Sequence, residues 1–111
     1  AKLFLHSCGD IYLYINDLIE TGVDIINPVQ VSARDMEPKR LKEEFGDRLI
    51  FWGAIDEQFV LTKGGTEEVY ENVNKIINIL GKDGGYVLAA SHNIQEDVPT
   101  ENILALFDSV R

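Results

Sequence analysis

Four short, nearly unbroken apolar runs recur along the chain, each followed by a segment with helical spacing, and this alternation constrains the fold more than any other feature. The runs are Leu3-Phe4-Leu5, Val23 to Ile26, Leu49-Ile50-Phe51-Trp52 and Tyr86 to Ala90. A strand with one solvated face alternates apolar and polar residues. A continuous run instead marks a strand covered on both faces, as in parallel sheets packed between helices. The intervening segments supply the helices. Ile11, Ile15, Leu18 and Ile19 form one stripe stopped by Gly22, and Val69, Val73, Ile76, Ile77 and Leu80 form another ending at Gly81. Leu41 and Phe45 mark a shorter helix closed by Gly46, with Asp35, Glu37 and Pro38 crowding its start, where the helix dipole favours acids and proline is tolerated. The last helix begins near Pro99 and carries Ile103, Leu106, Phe107 and Val110. Such stripes read as core packing rather than as partner surfaces. Trp52 likewise reads as core.

Right-handed crossovers place every helix on the outside of a curling sheet if the strands run in chain order. The expected fold class is therefore α/β, four consecutive βα units with parallel strands across residues 1–111, equivalent to half of a (β/α)₈ barrel. If the piece closes on itself, the alternative is a four-stranded flavodoxin-like open sheet.

Composition narrows the function classes. The net charge is -9 over 111 residues, and the basic residues are scattered among acids, so a nucleic-acid interface is not expected. No apolar run is long enough to cross a bilayer, and there is no secretory signal pattern. The single cysteine, Cys8, cannot form an internal disulfide, which fits a reducing, cytoplasmic setting. The chain enters its first apolar run directly after Ala1-Lys2, and a piece of a longer protein is expected.

In barrels of this kind the chemistry gathers on the loops that follow the strands, while the opposite loops serve stability. The loops after the runs are His6 to Asp10, Asn27 to Asp35, Gly53 to Gln58 and Ser91 to Asp97, and they are rich in reactive side chains. The opposite turns, Gly46-Asp47-Arg48 and Gly81 to Gly85, are not. His6 and Cys8 after the first run and His92 after the last offer two imidazoles and a thiolate to one rim, a set able to hold zinc with one position open. The pair alone is equally compatible with a small buried thiol and a hydrogen-bonding histidine. Asp10, Asp56 and Glu57 are further rim candidates, as bases or as groups orienting a ligand histidine, although a loop acid is usually just solvated. Gln30 and Asn93 are placed to position a polar substrate. Neither Gly84-Gly85 nor Gly64-Gly65 has the context of a phosphate cradle, and Ser7 and Ser91 lack a nucleophile elbow.

The segments "HSCGDI", "GVDIINPVQVSARDM", "GDRLIFWGAIDEQ" and "GGYVLAASHNIQEDVPTENI", in that order, resemble the C-terminal third of the uroporphyrinogen decarboxylase superfamily. Within it they are most similar to the branch containing methylcobalamin:coenzyme M methyltransferases. The resemblance implies a (β/α)₈ barrel in which His6 and Cys8 match a zinc-binding His-x-Cys pair, with zinc activating a thiol acceptor for a methyl group delivered from a corrinoid on a partner protein. Where that branch carries its third ligand, a cysteine, this sequence has His92. The decarboxylases carry a Gly-His-Gly segment in the same loop, so His92 also resembles their active-site histidine. Two enzymatic functions follow as expectations: zinc-dependent methyl transfer with His6, Cys8 and His92 as ligands, or cofactor-free decarboxylation of a tetrapyrrole with His92 handling protons and Asp56 as a supporting catalytic group. The acids on the rim loops outnumber Arg34 and favour the first, since such a mouth repels a polycarboxylate. A half-barrel by itself is expected to be catalytically inert and to self-associate through its unpaired sheet edges.

Overall fold

A computed structural model describes residues 1–111 throughout. The apolar runs become β1 (Phe4–His6), β2 (Ile25–Val29), β3 (Ile50–Ile55) and β4 (Tyr86–Ala90), joined in one sheet in the order β1-β2-β3-β4 with every neighbouring pair parallel. The helices are α1 (Ile15–Glu20), entered through a 3₁₀ turn over Tyr12–Tyr14, then α2 (Pro38–Phe45), α3 (Thr66–Leu80) and α4 (Thr100–Asp108). Strand order equal to chain order, with a helix in each crossover, is the arrangement of four consecutive units of a (β/α)₈ barrel. It also corrects the flavodoxin-like alternative, because that order encloses the first strand between two others and here β1 lies at an edge.

The sheet has two unlike faces because successive side chains alternate across it. Ile26 and Phe51, opposite each other in register, are completely buried in one cluster with Leu41 and Phe45 of α2, Val69, Val73, Ile76 and Leu80 of α3, and Ala105 and Leu106 of α4. The opposite, inner face is open. Trp52 sits there half-buried, its ring edge-on to that of the exposed Phe4 with centroids 5.2 Å apart. Trp52 is thus no part of the main core, contrary to the sequence expectation, because the helices cover only the face that Phe51 points to.

Two strands run further than their apolar runs. The sequence places Asn27, Pro28, Val29, Gly53, Ala54 and Ile55 in loops, whereas the structure keeps all six in strands. Turn-type residues are used here to bend strands rather than to end them. The Asn27–Pro28 peptide is cis, and the pairing of β2 with β3 shifts register between Ile26 and Val29. Opposite this irregularity Gly53 adopts φ +113, and a Cβ there would stand 3.2 Å from the Val29 nitrogen and 3.3 Å from Pro28. Only glycine accommodates both the backbone angle and the close approach. The Tyr86 hydroxyl donates to the Gly53 carbonyl at 2.6 Å, fixing this point to β4.

Polar ties lock the helices to the sheet ends. Asn102, 1 % exposed on α4, donates through Nδ2 to the carbonyls of Leu61 and Gly64 at 2.9 and 2.7 Å. At the opposite end of the strands, Lys42 donates to the Gly84 carbonyl at 2.7 Å. No helix is long and apolar enough to cross a membrane.

Candidate functional site

At the C-terminal end of β1, His6 closes the strand and Cys8 follows after one residue, with Gly9 at φ +84 turning the chain away. The histidine ring is oriented from the neighbouring strand. Its Nδ1 stands 2.7 Å from Oδ1 of Asn27, the residue paired with it in register. An amide oxygen only accepts, so Nδ1 carries the proton and Nε2 presents its lone pair. That lone pair faces Cys8, whose Sγ is 3.5 Å away. Two ligands of a tetrahedral zinc, with Zn–N about 2.0 Å and Zn–S about 2.3 Å, stand about 3.5 Å apart. The pair therefore has the separation of one edge of a zinc tetrahedron, with the orienting partner that ligand histidines usually have.

The loop holding Cys8 is pinned from the residue after β2, where Gln30 Oε1 accepts the Gly9 N–H at 2.8 Å. The side-chain oxygen of Gln30 is thereby committed to shaping the rim. Asp10 and Asp56 are similarly engaged. Asp10 Oδ1 accepts the Tyr12 N–H at 3.0 Å and starts the first helical turn, and Asp56 Oδ1 accepts the Phe59 N–H at 3.0 Å and caps the π-helical turn Glu57–Leu61. Each spends one carboxylate oxygen on backbone donors.

His92 lies exposed just beyond β4. It lines two cavities that meet at the Ser91-His92 step. One, of about 470 Å³, is polar and also bordered by Cys8, Gln30, Glu57 and Lys63. The other, of about 490 Å³, is more apolar and bordered by His6, Asn27, Trp52 and Asn93. His92 thus shares one cavity with Cys8 and another with His6. It is not brought to ligand distance, and no three His, Cys, Asp or Glu side chains converge on a common point. Gln30 and Asn93, the expected substrate contacts, fall in different cavities, the polar and the apolar one.

Sequence reasoning did not find the roles of Asn27, Glu57 and Ser91. Glu57 is 8 % exposed rather than solvated, because the tight turn after Asp56 folds it back under the rim. Its backbone N–H donates to Ser91 Oγ at 3.3 Å, and Ser91 N–H donates to the Ile55 carbonyl at 2.8 Å, so the ends of β3 and β4 are stitched together at the cavity floor.

A uroporphyrinogen decarboxylase of Wolinella succinogenes is 29 % identical over 95 residues, covering 86 % of this chain and 26 % of its own length. That of Rickettsia africae is 32 % identical over 85 residues, covering 76 % and 24 %. The chain spans about a quarter of these relatives. Among solved structures, a methyltransferase from Methanosarcina mazei superposes with a TM-score of 0.77 at 24 % identity, over 98 % of this chain and 30 % of that one, a likeness of fold. The family model for uroporphyrinogen decarboxylase (URO-D) matches residues 1–111 from end to end, and the chain belongs to that family.

Proposed function

We propose that this chain carries part of the active site of a zinc-dependent methyltransferase of the uroporphyrinogen decarboxylase family, the C-terminal half of its barrel. The observation that supports this reading is the 3.5 Å separation of His6 Nε2 and Cys8 Sγ with Asn27 fixing the tautomer. These residues fit two ligand positions of a zinc ion, and His92, which shares one cavity with Cys8 and another with His6, is the candidate third. Zinc held there supplies a Lewis acid that keeps a bound thiol deprotonated near neutral pH. The chain's own contribution is to orient His6 through Asn27, to hold the Cys8 loop through Gln30, and to frame a polar cavity in which the thiol acceptor is seated. The methyl source in this reading is a corrinoid on a partner protein. Zinc analysis at neutral pH tests it: about one equivalent per chain is expected, lost in Cys8→Ser. Absence of zinc from the unaltered chain removes the mechanism.

Decarboxylation of uroporphyrinogen is the second reading, favoured by the names of the curated relatives and by the exposed position of His92 between two cavities. In it His92 moves a proton at the pyrrole. Carbon dioxide release from uroporphyrinogen by the intact enzyme, abolished in His92→Ala, would establish it.

A further inference from the structure

The polar cavity beside Cys8 contains a charge with no internal partner. Glu57 is 8 % exposed, yet its carboxylate makes no hydrogen bond or ion pair within the chain. Its backbone is fully occupied instead, the N–H by Ser91 and the carbonyl by the Thr62 hydroxyl at 2.6 Å. The one completely enclosed side-chain oxygen lacking a partner is Oδ1 of Asn72, so the Glu57 oxygens reach the open space of the cavity they line. The carboxylate therefore opens into the cavity without a partner of its own, a position that a cation or strong donors on a ligand can fill. The charged neighbours do not neutralise it. Asp97 adds a second negative charge, and Lys63, exposed, sits over the Phe59 ring 5.1 Å from its centroid without forming an ion pair.

From this geometry we infer that Glu57 is a specificity residue, and that the cavity takes a ligand bearing an ammonium group, which pairs with its carboxylate. Because Cys8 borders the same cavity, the acceptor in the thiol-activation reading is then an aminothiol rather than a thiol carrying an acidic group. The thiol half rests on the proposed function. The ammonium half rests on Glu57 alone. Gln58, Gln95 and Thr62 add neutral polar groups to the lining, and the two carboxylates of Glu57 and Asp97 outnumber the one ammonium of Lys63.

The experiment uses the full chain in two arms. In the first, the metal-free protein is titrated with ethylammonium and, separately, with acetate, while the Glu57 and Ser91 amide resonances are followed. Saturable shifts with ethylammonium, none with acetate and none in Glu57→Gln are expected, with Glu71→Gln on the outer face of α3 behaving as the unaltered protein. Equal responses to both ions, or a persistent ethylammonium response in Glu57→Gln, overturn the inference. In the second arm, cobalt(II)-loaded protein is titrated with cysteamine, 2-mercaptoethanol and mercaptoacetate, reading the sulfur-to-cobalt charge-transfer band. Cysteamine is expected to bind at least tenfold more tightly than 2-mercaptoethanol, and Glu57→Gln to erase that ratio while leaving 2-mercaptoethanol unchanged. Equal affinities overturn the aminothiol assignment. Failure to bind cobalt, with the ammonium response intact, instead sinks the thiol-activation reading and leaves the cation pocket standing.

Discussion

His6 Nδ1 lies 2.7 Å from Asn27 Oδ1 across the β1–β2 pair, and this single contact decides which imidazole nitrogen faces Cys8. If the pair binds metal, Asn27→Leu frees the ring to rotate and to change tautomer. The expected outcome is metal affinity lower by roughly 10- to 100-fold, with unchanged far-ultraviolet circular dichroism. Asn27→Asp, which still accepts from Nδ1, is expected to retain binding. Competition against a chromophoric zinc chelator reads both.

Asn102 is a structural counterpart on the outer layer. Its amide holds two carbonyls where the turn after β3 passes under α4, and Asn102→Leu leaves both without that donor. The expected loss is about 2–3 kcal/mol, measured by urea unfolding with an unchanged slope. A loss below about 0.5 kcal/mol would mean that water replaces the amide at no cost.

Gly53→Ala should be destabilising by about 1–3 kcal/mol, since the substitution combines φ +113 with a Cβ pressed against Val29 and Pro28. Gly65→Ala, at an open position with ordinary φ, is the control and is expected to cost less, about 0.5 kcal/mol from the N-cap preference for glycine over alanine.

The pH dependence follows from two carboxylates and one phenol. The Leu3 N–H, donating at 2.8 Å, and Lys2 beside it hold the Asp24 carboxyl below its ordinary value. The Tyr12 hydroxyl and then Arg40 do the same for Glu44. Folded values below unfolded ones mean that their contribution is fully present above the ordinary carboxylate range, about 4, and is lost as pH falls through the depressed values. Asp24→Asn should therefore flatten the acid limb of a stability-against-pH curve, and an unchanged limb would contradict the linkage. At the alkaline end, burial raises the Tyr86 phenol above its ordinary value, so stability falls as pH climbs past about 10, and Tyr86→Phe should weaken that fall.

Self-association is expected as well. The two edge strands, β1 and β4, run in the same direction, so β4 of one copy can continue the ladder at β1 of another. Leu13 and Tyr14 are exposed in the first unit, Leu104 and Phe107 in the last, and Phe4 on the open inner face, which gives such a junction apolar surface to bury. Sedimentation at tens of micromolar should show dimers or larger species, and Phe4→Glu should reduce them. A purely monomeric protein would contradict the pairing.

The fold was legible because its signal is coarse. Unbroken runs such as Tyr86 to Ala90 and a full stripe such as Val69 to Leu80 survive any local detail. The strand ends were not. Asn27-Pro28 and Gly53-Ala54 carry turn chemistry, and only the register shift between the two strands shows that it bends them instead of ending them. At the rim, the sequence placed His6 and Cys8 together by adjacency, and the structure brings them into contact. It gave no means of knowing that Asp56 would cap a turn while Glu57, one residue on, would be folded under it. That difference arises from backbone geometry over the following turn. Asn102 was invisible for a related reason, since the carbonyls it serves lie about 40 residues away in sequence.

Because each strand pairs only with its neighbour along the chain, nothing synthesised early has to wait for a distant segment before it can dock. A polypeptide leaving the ribosome can add one unit after another, each new strand finding its template already in place. The same ordering leaves the growing end always ready for one more strand, so a nascent chain of this design is safest when its continuation arrives sooner than a stranger's.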